Sequence, residues 1–289
     1  MIHTDKGLIG ILNNMPITIT NNRITKWSLK EETKIKEISY SLKENLDNYD
    51  VRNKDGRVFV TDLQNADLYC LEDDLNIHKI VFEDRYEDRK VPKTYLFKNL
   101  NPEEVIIHTR DGNGYYLLNL KGFKLTEYSS ILVLKNNMLS FSRIYSFLIG
   151  YYNTLFITND SEMVLYHQFN YDETKSEIGI YLSEEEKVIS HFDAPEPIDR
   201  VNFYTNLIDT YNTGAYSNIK GCLIADKIVL CYQHMLYVFD YEGKVLRTRP
   251  AKENSRYWGL EKLNENQVLI AELDPDDPEK MFVFEYDIL

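Results

Sequence analysis

Apolar residues in this chain fall in short runs that come in pairs, each pair joined by a few polar residues. Five such units stand out: RVFVTDLQNADLYCLE from Arg57, EVIIHTRDGNGYYLLNL from Glu104, TLFITNDSEMVLYHQF from Thr154, KIVLCYQHMLYVFDYEGKVLRTRP from Lys227 and QVLIAELDPDDPEKMFVFEYDIL from Gln267. The runs are dense in β-branched and aromatic residues and lack a helical period. Their connections are turn formers such as Gln64-Asn65, Asp111-Gly112-Asn113-Gly114 and Asn159-Asp160-Ser161. This pattern predicts β-hairpins. Runs such as Val58-Phe59-Val60, Val105-Ile106-Ile107, Leu155-Phe156-Ile157, Ile228-Val229-Leu230 and Met281-Phe282-Val283-Phe284 do not alternate with polar residues. A strand with one wet face alternates, so unbroken runs predict strands covered on both faces.

Spacing sets the architecture. The first runs begin at Val58, Val105, Leu155, Ile228 and Val268, separated by 47, 50, 73 and 40 residues. Propeller repeats recur every ~40–50 residues. The long interval holds KVISHFDAPEPIDRVNFYTN, from Lys187 to Asn206, read as a degenerate unit or an insertion; PITITNNRITKWSL, Pro16 to Leu29, adds one more hairpin. The expected fold is all-β: a single β-propeller of six or seven antiparallel blades over residues 1–289, with two β-sandwich domains as the rival. The last run, Met281 to Tyr286, has no strand after it, so an N-terminal strand is expected to close the last blade, with Leu8–Leu12 or Ile17–Thr20 as candidates. Residues 28–49 admit two readings. Ser28 and Glu31 have capping-box spacing for a short helix, whereas Ile38, Tyr40 and Leu42 alternate as in a strand, the favoured reading. Glu83–Lys90, EDRYEDRK, reads as a solvated loop between blades.

The sequence Gly243-Lys244-Val245-Leu246 after a strand, then Tyr257-Trp258-Gly259-Leu260 before the next hairpin, resembles bacterial six- and seven-bladed propellers. The resemblance implies an architecture only. No blade-closing WD pair, kelch Gly-Gly, sialidase Asp box or repeated tryptophan-docking motif is present.

Composition narrows the partners. With 33 basic and 46 acidic residues the net charge is -13. Such a charge repels phosphate backbones, so nucleic acid is not an expected partner, while a basic protein would be steered in. No apolar stretch approaches the ~18 residues of a membrane span, and the first residues, MIHTDKGLIGILNNMPITIT, lack the basic and apolar regions of a leader. A cytoplasmic, membrane-free protein is expected. Cys70, Cys222 and Cys231 form no CxxC and lie in apolar runs, as structural thiols do.

Candidate chemistry is sparse. Asp62, Asp160, Asp226 and Asp240 flank strands, where a propeller hydrolase or lyase acting on a carbohydrate or lactone places channel carboxylates; turn aspartates are also ordinary structure. Asp274-Pro275-Asp276-Asp277-Pro278-Glu279 and Asp111-Gly112-Asn113-Gly114 lack the calcium-loop spacing and read as turns, so no metal and no cofactor is expected. His3, His78, His108, His167, His191 and His234 are scattered singly. The 22 Tyr and 13 Phe, beside 2 Trp, suit half-buried strands and also interfaces. Tyr204, Tyr211 and Tyr216 lie in an irregular stretch, and Tyr257-Trp258 opens a strand. The expectation is a monomeric, non-catalytic cytoplasmic binding protein that recognises a protein partner through one propeller face. The partner is expected to be basic, as in an immunity-like role, with Tyr211, Tyr216, Tyr257 and Trp258 as anchors. The alternative is the carbohydrate- or lactone-acting enzyme.

Overall fold

The computed structural model describes residues 1–40, 46, 49–54, 56–62, 67–82, 94–101, 103–109, 115–128, 154–156, 163–169, 176–182, 185, 187–195 and 219–288. After β1 (Ile2–Asp5), the strands β2 (Leu8–Leu12), β3 (Met15–Ile19), β4 (Arg23–Ser28) and β5 (Thr33–Ser39) form the first sheet in chain order. The second is β6 (Tyr49–Lys54), β7 (Arg57–Asp62), β8 (Asp67–Leu71) and β9 (Ile77–Lys79). The two-residue β10 (Val81–Phe82) then pairs, in parallel, with the outer strand of the third sheet. That sheet is β11 (Thr94–Asn101), β12 (Glu104–Thr109), β13 (Tyr115–Asn119) and β14 (Lys124–Tyr128). The fourth is β15 (Thr154–Phe156), β16 (Met163–Phe169), β17 (Ser176–Leu182) and β18 (Lys187–Asp193). The fifth is β19 (Ile219–Ile224), β20 (Lys227–Tyr232), β21 (Met235–Asp240) and β22 (Val245–Pro250). The sixth is β23 (Tyr257–Lys262), β24 (Gln267–Leu273) and β25 (Lys280–Asp287), with β1 as its outer strand.

From the fourth sheet through the fifth, sixth and first to the second, successive sheets pack face to face, and this explains the unbroken apolar runs. In β20, Ile228, Leu230 and Tyr232 enter a core shared with Leu165, Ile178 and Ile180 of the fourth sheet. The intervening Val229 and Cys231 enter a different core, shared with Leu260, Val268 and Ile270 of the sixth. In β24 the alternate residues Leu269, Ala271 and Leu273 turn instead to Ile9, Ile11 and Trp27 of the first sheet. Leu12, Ile17, Ile19 and Ile24 of the first meet Val58, Val60 and Leu71 of the second. His78 stacks on Phe123 at 3.9 Å, joining the second sheet to the third. Central strands such as β20 and β24 therefore serve two cores, and burying each Leu or Ile contributes about 1.5–3 kcal/mol. The sixth sheet packs on the first: the fold is a β-propeller whose ring is closed by an N-terminal strand.

The closing segment differs from both candidates. Ile2↔Val283, His3↔Phe282, Thr4↔Met281 and Asp5↔Lys280 pair antiparallel. Leu8–Leu12 is instead the innermost strand of the first sheet and Ile17–Ile19 lies in its second strand. The runs Leu8–Leu12 and Ile17–Ile19 are too apolar for an outer edge; β1 is short, carries His3 and Asp5, and buries only Ile2. Residues 33–39 are a strand, not a helix, and the Glu31 N–H donates to Ser28 Oγ at 3.3 Å within the preceding turn. Lys187–Asp193 is the outer strand of the fourth sheet, so the degenerate unit does not begin there. The part of that stretch from residue 196 to 206, the residues after it to 218, and residues 83–93 lie outside the described residues.

Three outer strands share a device that no sequence motif announced. β4–β5, β17–β18 and β21–β22 each shift register near the same place, leaving Ile35, Ile189 and Leu246 as the extra residues. Ile35 and Leu246 are consequently exposed. A bulge twists and blunts an edge strand, which otherwise offers unpaired backbone to another chain.

Candidate functional site

The first strands β19, β23, β2 and β6 are neighbours in series, so they line the axis of the ring. In a four-stranded meander the first and third turns lie at one end and the second at the other. The propeller therefore presents two faces built from different turns.

On the face bearing the first and third turns, three groups interlock across the axis. The Ile11 N–H of β2, on the edge that has no strand partner, donates to Asn53 Oδ1 at 2.7 Å. Asn53 Nδ2 donates in turn to Glu261 Oε2 at 2.5 Å, tying β6 to β23 over the top of β2. Gly10 makes room for this: a Cβ there would lie 3.1 Å from Asn53 Oδ1. Around this clasp the turns are acidic in every sheet. They carry Glu31 and Glu32, then Glu72, Asp73 and Asp74, then Glu103, Glu185, Asp226, Glu242 and Glu265, against Lys30, Lys121 and Lys244 in the same turns; the N-terminus pairs with Glu32, Arg57 with Glu72, Lys26 with Asp73, Lys187 with Glu185, Lys227 with Asp226 and Lys262 with Glu265. A cavity of about 440 Å³ opens among them, lined by Asn13, Gly56, Arg57, Glu72, Asp73 and Asp74. A hydrogen bond from Lys26 holds the Asp73 carboxyl below its usual range, and Lys36 Nζ donates to the Asp74 carbonyl.

On the opposite face β23 begins with Tyr257 and Trp258, and the two have different roles. Tyr257 is only 6% exposed. Its hydroxyl accepts from Arg249 Nη1 at 2.7 Å and donates to the Arg249 carbonyl at 3.0 Å. Burial raises the pKa of this phenol well above its ordinary value. Arg249 also pairs with the fully buried Glu272 at 3.2 Å, whose other oxygen accepts from the Lys252 N–H at 2.5 Å. The expected anchor Tyr257 is thus held inside the joint between the fifth and sixth sheets. Trp258 is half-buried, its Nε1–H donates to the Gly7 carbonyl at 2.9 Å, Lys6 Nζ lies 4.2 Å from the ring centroid and Arg256 Cζ 5.7 Å. Tyr204, Tyr211 and Tyr216 fall outside the described residues, so the four expected anchors are not shown to share a surface.

The other candidates have local roles. Asp226 pairs with Lys227 at 2.6 Å, and Asp240 Oδ1 accepts from the Lys244 N–H at 2.8 Å within a turn. Asp62 ends β7, and Asp160 and Asp111–Gly114 lie outside the described residues. Asp274 and Asp277 accept from the backbone of Asp276 and Glu279, and Asp274 also meets His3 at 2.7 Å. His191 pairs with Glu177 at 2.8 Å and His78 with Glu72 at 3.2 Å. Among the described residues no group of three His, Cys, Asp or Glu is placed to hold a metal. Cys70, Cys222 and Cys231 are buried free thiols, and burial pushes Cys70 and Cys231 up to about 12. Sequence reasoning missed Asn53, Glu261, Lys6 and Arg256, because a lone polar residue on a first strand, as Asn53 and Glu261 are, or in a connection, as Lys6 and Arg256 are, carries no motif. Its one signal is interruption of an apolar run, as Glu261 interrupts the run beginning at Tyr257.

No family profile matches the chain, and no curated protein matches it in sequence. Among solved structures it is similar to virginiamycin B lyase from Staphylococcus aureus, at 13% identity over 99% of this chain and 88% of that one, with a TM-score of 0.42. It is also similar to Hsv2 from Kluyveromyces lactis, at 8% identity over 96% and 97% of the two chains, with a TM-score of 0.48. The propeller assignment rests on the sheet order, the shared cores and the closing strand of the chain itself.

Proposed function

We propose that the protein is a non-catalytic binding module that docks a basic protein partner on the face bearing the acidic turns. The observation that carries this reading is the distribution of charge: every described sheet contributes an exposed or half-exposed carboxylate to that face. Such a field focuses cations and speeds their encounter, with a reach of about 8 Å at physiological salt. Steering sets the association rate; residence needs desolvated contacts as well. A cytoplasmic location belongs to the same proposal. Among the described residues no helix is long and apolar enough to cross a membrane.

The test is capture from a lysate of the source cells on immobilised protein at low and high salt, with a Glu31→Gln, Glu242→Gln, Glu265→Gln variant beside the wild type. The reading expects a captured protein that is basic at its contact surface and is depleted both by salt and by the variant. An acidic partner, or capture indifferent to both, contradicts it.

A further inference from the structure

The face opposite the acidic first and third turns has acids of its own, Asp274, Asp276, Asp277 and Glu279 in the second turn of the sixth sheet, and beside them two cations. Lys6 and Arg256 come from opposite ends of the chain and converge on one indole, that of Trp258. Elsewhere in the joint, Arg23 and Lys280 meet Asp5, and Lys252 Nζ lies 3.7 Å from the centroid of the Phe282 ring. Lys6 and Arg256 have no carboxylate partner among the described residues. The nearest acid in the chain to each, Asp5 and Glu253, does not pair with it; Asp5 is taken by Arg23 and Lys280. Two like charges drawn to one ring in a protein of net charge -13 retain their N–H donors for something else.

The platform is built rather than incidental. The Trp258 N–H is fixed on the Gly7 carbonyl, and the Lys6 backbone N–H donates to the Glu279 carbonyl at 2.8 Å, which sets the root of the lysine. Leu273 N–H donates to the Arg256 carbonyl at 2.9 Å and sets the root of the arginine. A guanidinium offers a planar fork that matches an oxyanion and an ammonium offers a movable point charge, so the pair suits a trigonal or tetrahedral anion.

We propose that Lys6, Arg256 and Trp258 form a binding site for a small oxyanion, phosphate or carboxylate, independent of the partner surface on the other face. The site can be read through the two tryptophans. Trp27 is buried, with its Nε1–H on Thr18 Oγ1 at 2.9 Å, and serves as the internal control. The full chain, ¹⁵N-labelled at tryptophan, is titrated with inorganic phosphate, phenyl phosphate, benzoate and, as a neutral control, benzyl alcohol. Assignment comes from Trp258→Phe, which removes one of the two indole signals. The expected result is a saturable shift of the Trp258 signal with at least one anion, none with benzyl alcohol and none at Trp27. Affinity should fall at least tenfold in Arg256→Gln and in Lys6→Gln, with partial retention in Arg256→Lys. Phosphate probes alone moving the signal assigns a phosphoryl group; benzoate alone assigns a carboxylate. The proposal is overturned if no anion gives a saturable shift. It is likewise overturned if benzyl alcohol acts equally, or if Arg256→Gln binds as the wild type does while its Trp27 signal shows an intact fold.

Discussion

A single inner strand, β23, displays opposite chemistry at its two ends. At Glu261 it enters a clasp that satisfies the open backbone edge of β2, surrounded by carboxylates. At Trp258, three residues earlier, an indole is closed onto Gly7 and carries two cations that meet no carboxylate among the described residues. The strand length is the same for both ends, but the turns differ. Each sheet places at least one acid in its first or third turn, whereas the end at Trp258 is built by the second turns, among them the acidic 274–279 turn, the connections between sheets and the joint that β1 makes with β25. Both ends of the ring therefore carry acids, and the end at Trp258 adds a local pair of cations within an overall charge of -13.

The joint is where that difference is broken most severely. Removing residues 1–5 deletes β1, the buried Ile2, the His3–Phe282 stack and the ion pairs of Asp5 with Arg23 and Lys280. A loss on the order of 5 kcal/mol is expected from the apolar and ladder contacts together, seen as a melting temperature lower by roughly 10–20 °C. An unchanged melting temperature would show that β1 does not close the ring. Arg249→Ala, at the same end, strands the buried Glu272 carboxylate and is expected to cost about 3–5 kcal/mol in denaturant unfolding, whereas Arg249→Lys should recover part of it. At the acidic end, Asn53→Ala leaves the Ile11 N–H without its acceptor and should cost about 1–3 kcal/mol. A cost below ~0.5 kcal/mol would mean that the clasp is ornamental.

How much of this was legible follows from what a sequence encodes. The hairpins were readable because their central strands feed two cores and so cannot alternate; Val268–Leu273 and Ile228–Tyr232 show this directly. The outer strands were obscure for the opposite reason. Ile35, Val188, Val245 and Leu246 are exposed among charged residues, and a bulge breaks the period on which such strands are recognised. The closing strand was placed in the wrong segment because apolarity was taken as the mark of a strand. At an outer edge the physical requirement is reversed, and β1 meets it with four residues of which one is fully buried. Tyr257 and Trp258 were singled out as adjacent aromatics, but adjacent residues on a strand point to opposite sides. Tyr257 enters the core between the fifth and sixth sheets, and Trp258, at a register shift, packs against the core between the sixth and the first. The clasp and the cation pair join residues more than two hundred positions apart, Asn53 with Glu261 and Lys6 with Trp258, and depend wholly on the ring being closed.

The smallest effect expected is on pH. Hydrogen bonding from Lys280, with Arg23 adding to it, holds the Asp5 carboxyl below its usual 3.8. The folded value is depressed, so this contribution is complete above the unfolded pKa and disappears as pH falls through the folded one. Stability should therefore decline below about pH 4, and Asp5→Asn should be less stable than the wild type at pH 7 but lose less on acidification. An identical acid profile for the two would remove Asp5 from the closure.

The central claim is that the two faces are functionally distinct, with the acidic one receiving the partner. The direct measurement is the association rate of the captured partner across ~20–500 mM salt, where screening shortens several-fold. It should compare the wild type, the Glu31→Gln, Glu242→Gln, Glu265→Gln variant, and Arg256→Gln on the other face. The account predicts an association rate that falls with salt in the wild type, a lower rate and flatter salt dependence in the acidic-face variant, and wild-type behaviour in Arg256→Gln, with dissociation changing little throughout. A partner whose association is unaffected by the acidic-face substitutions but impaired by Arg256→Gln would place recognition on the opposite face and contradict the account.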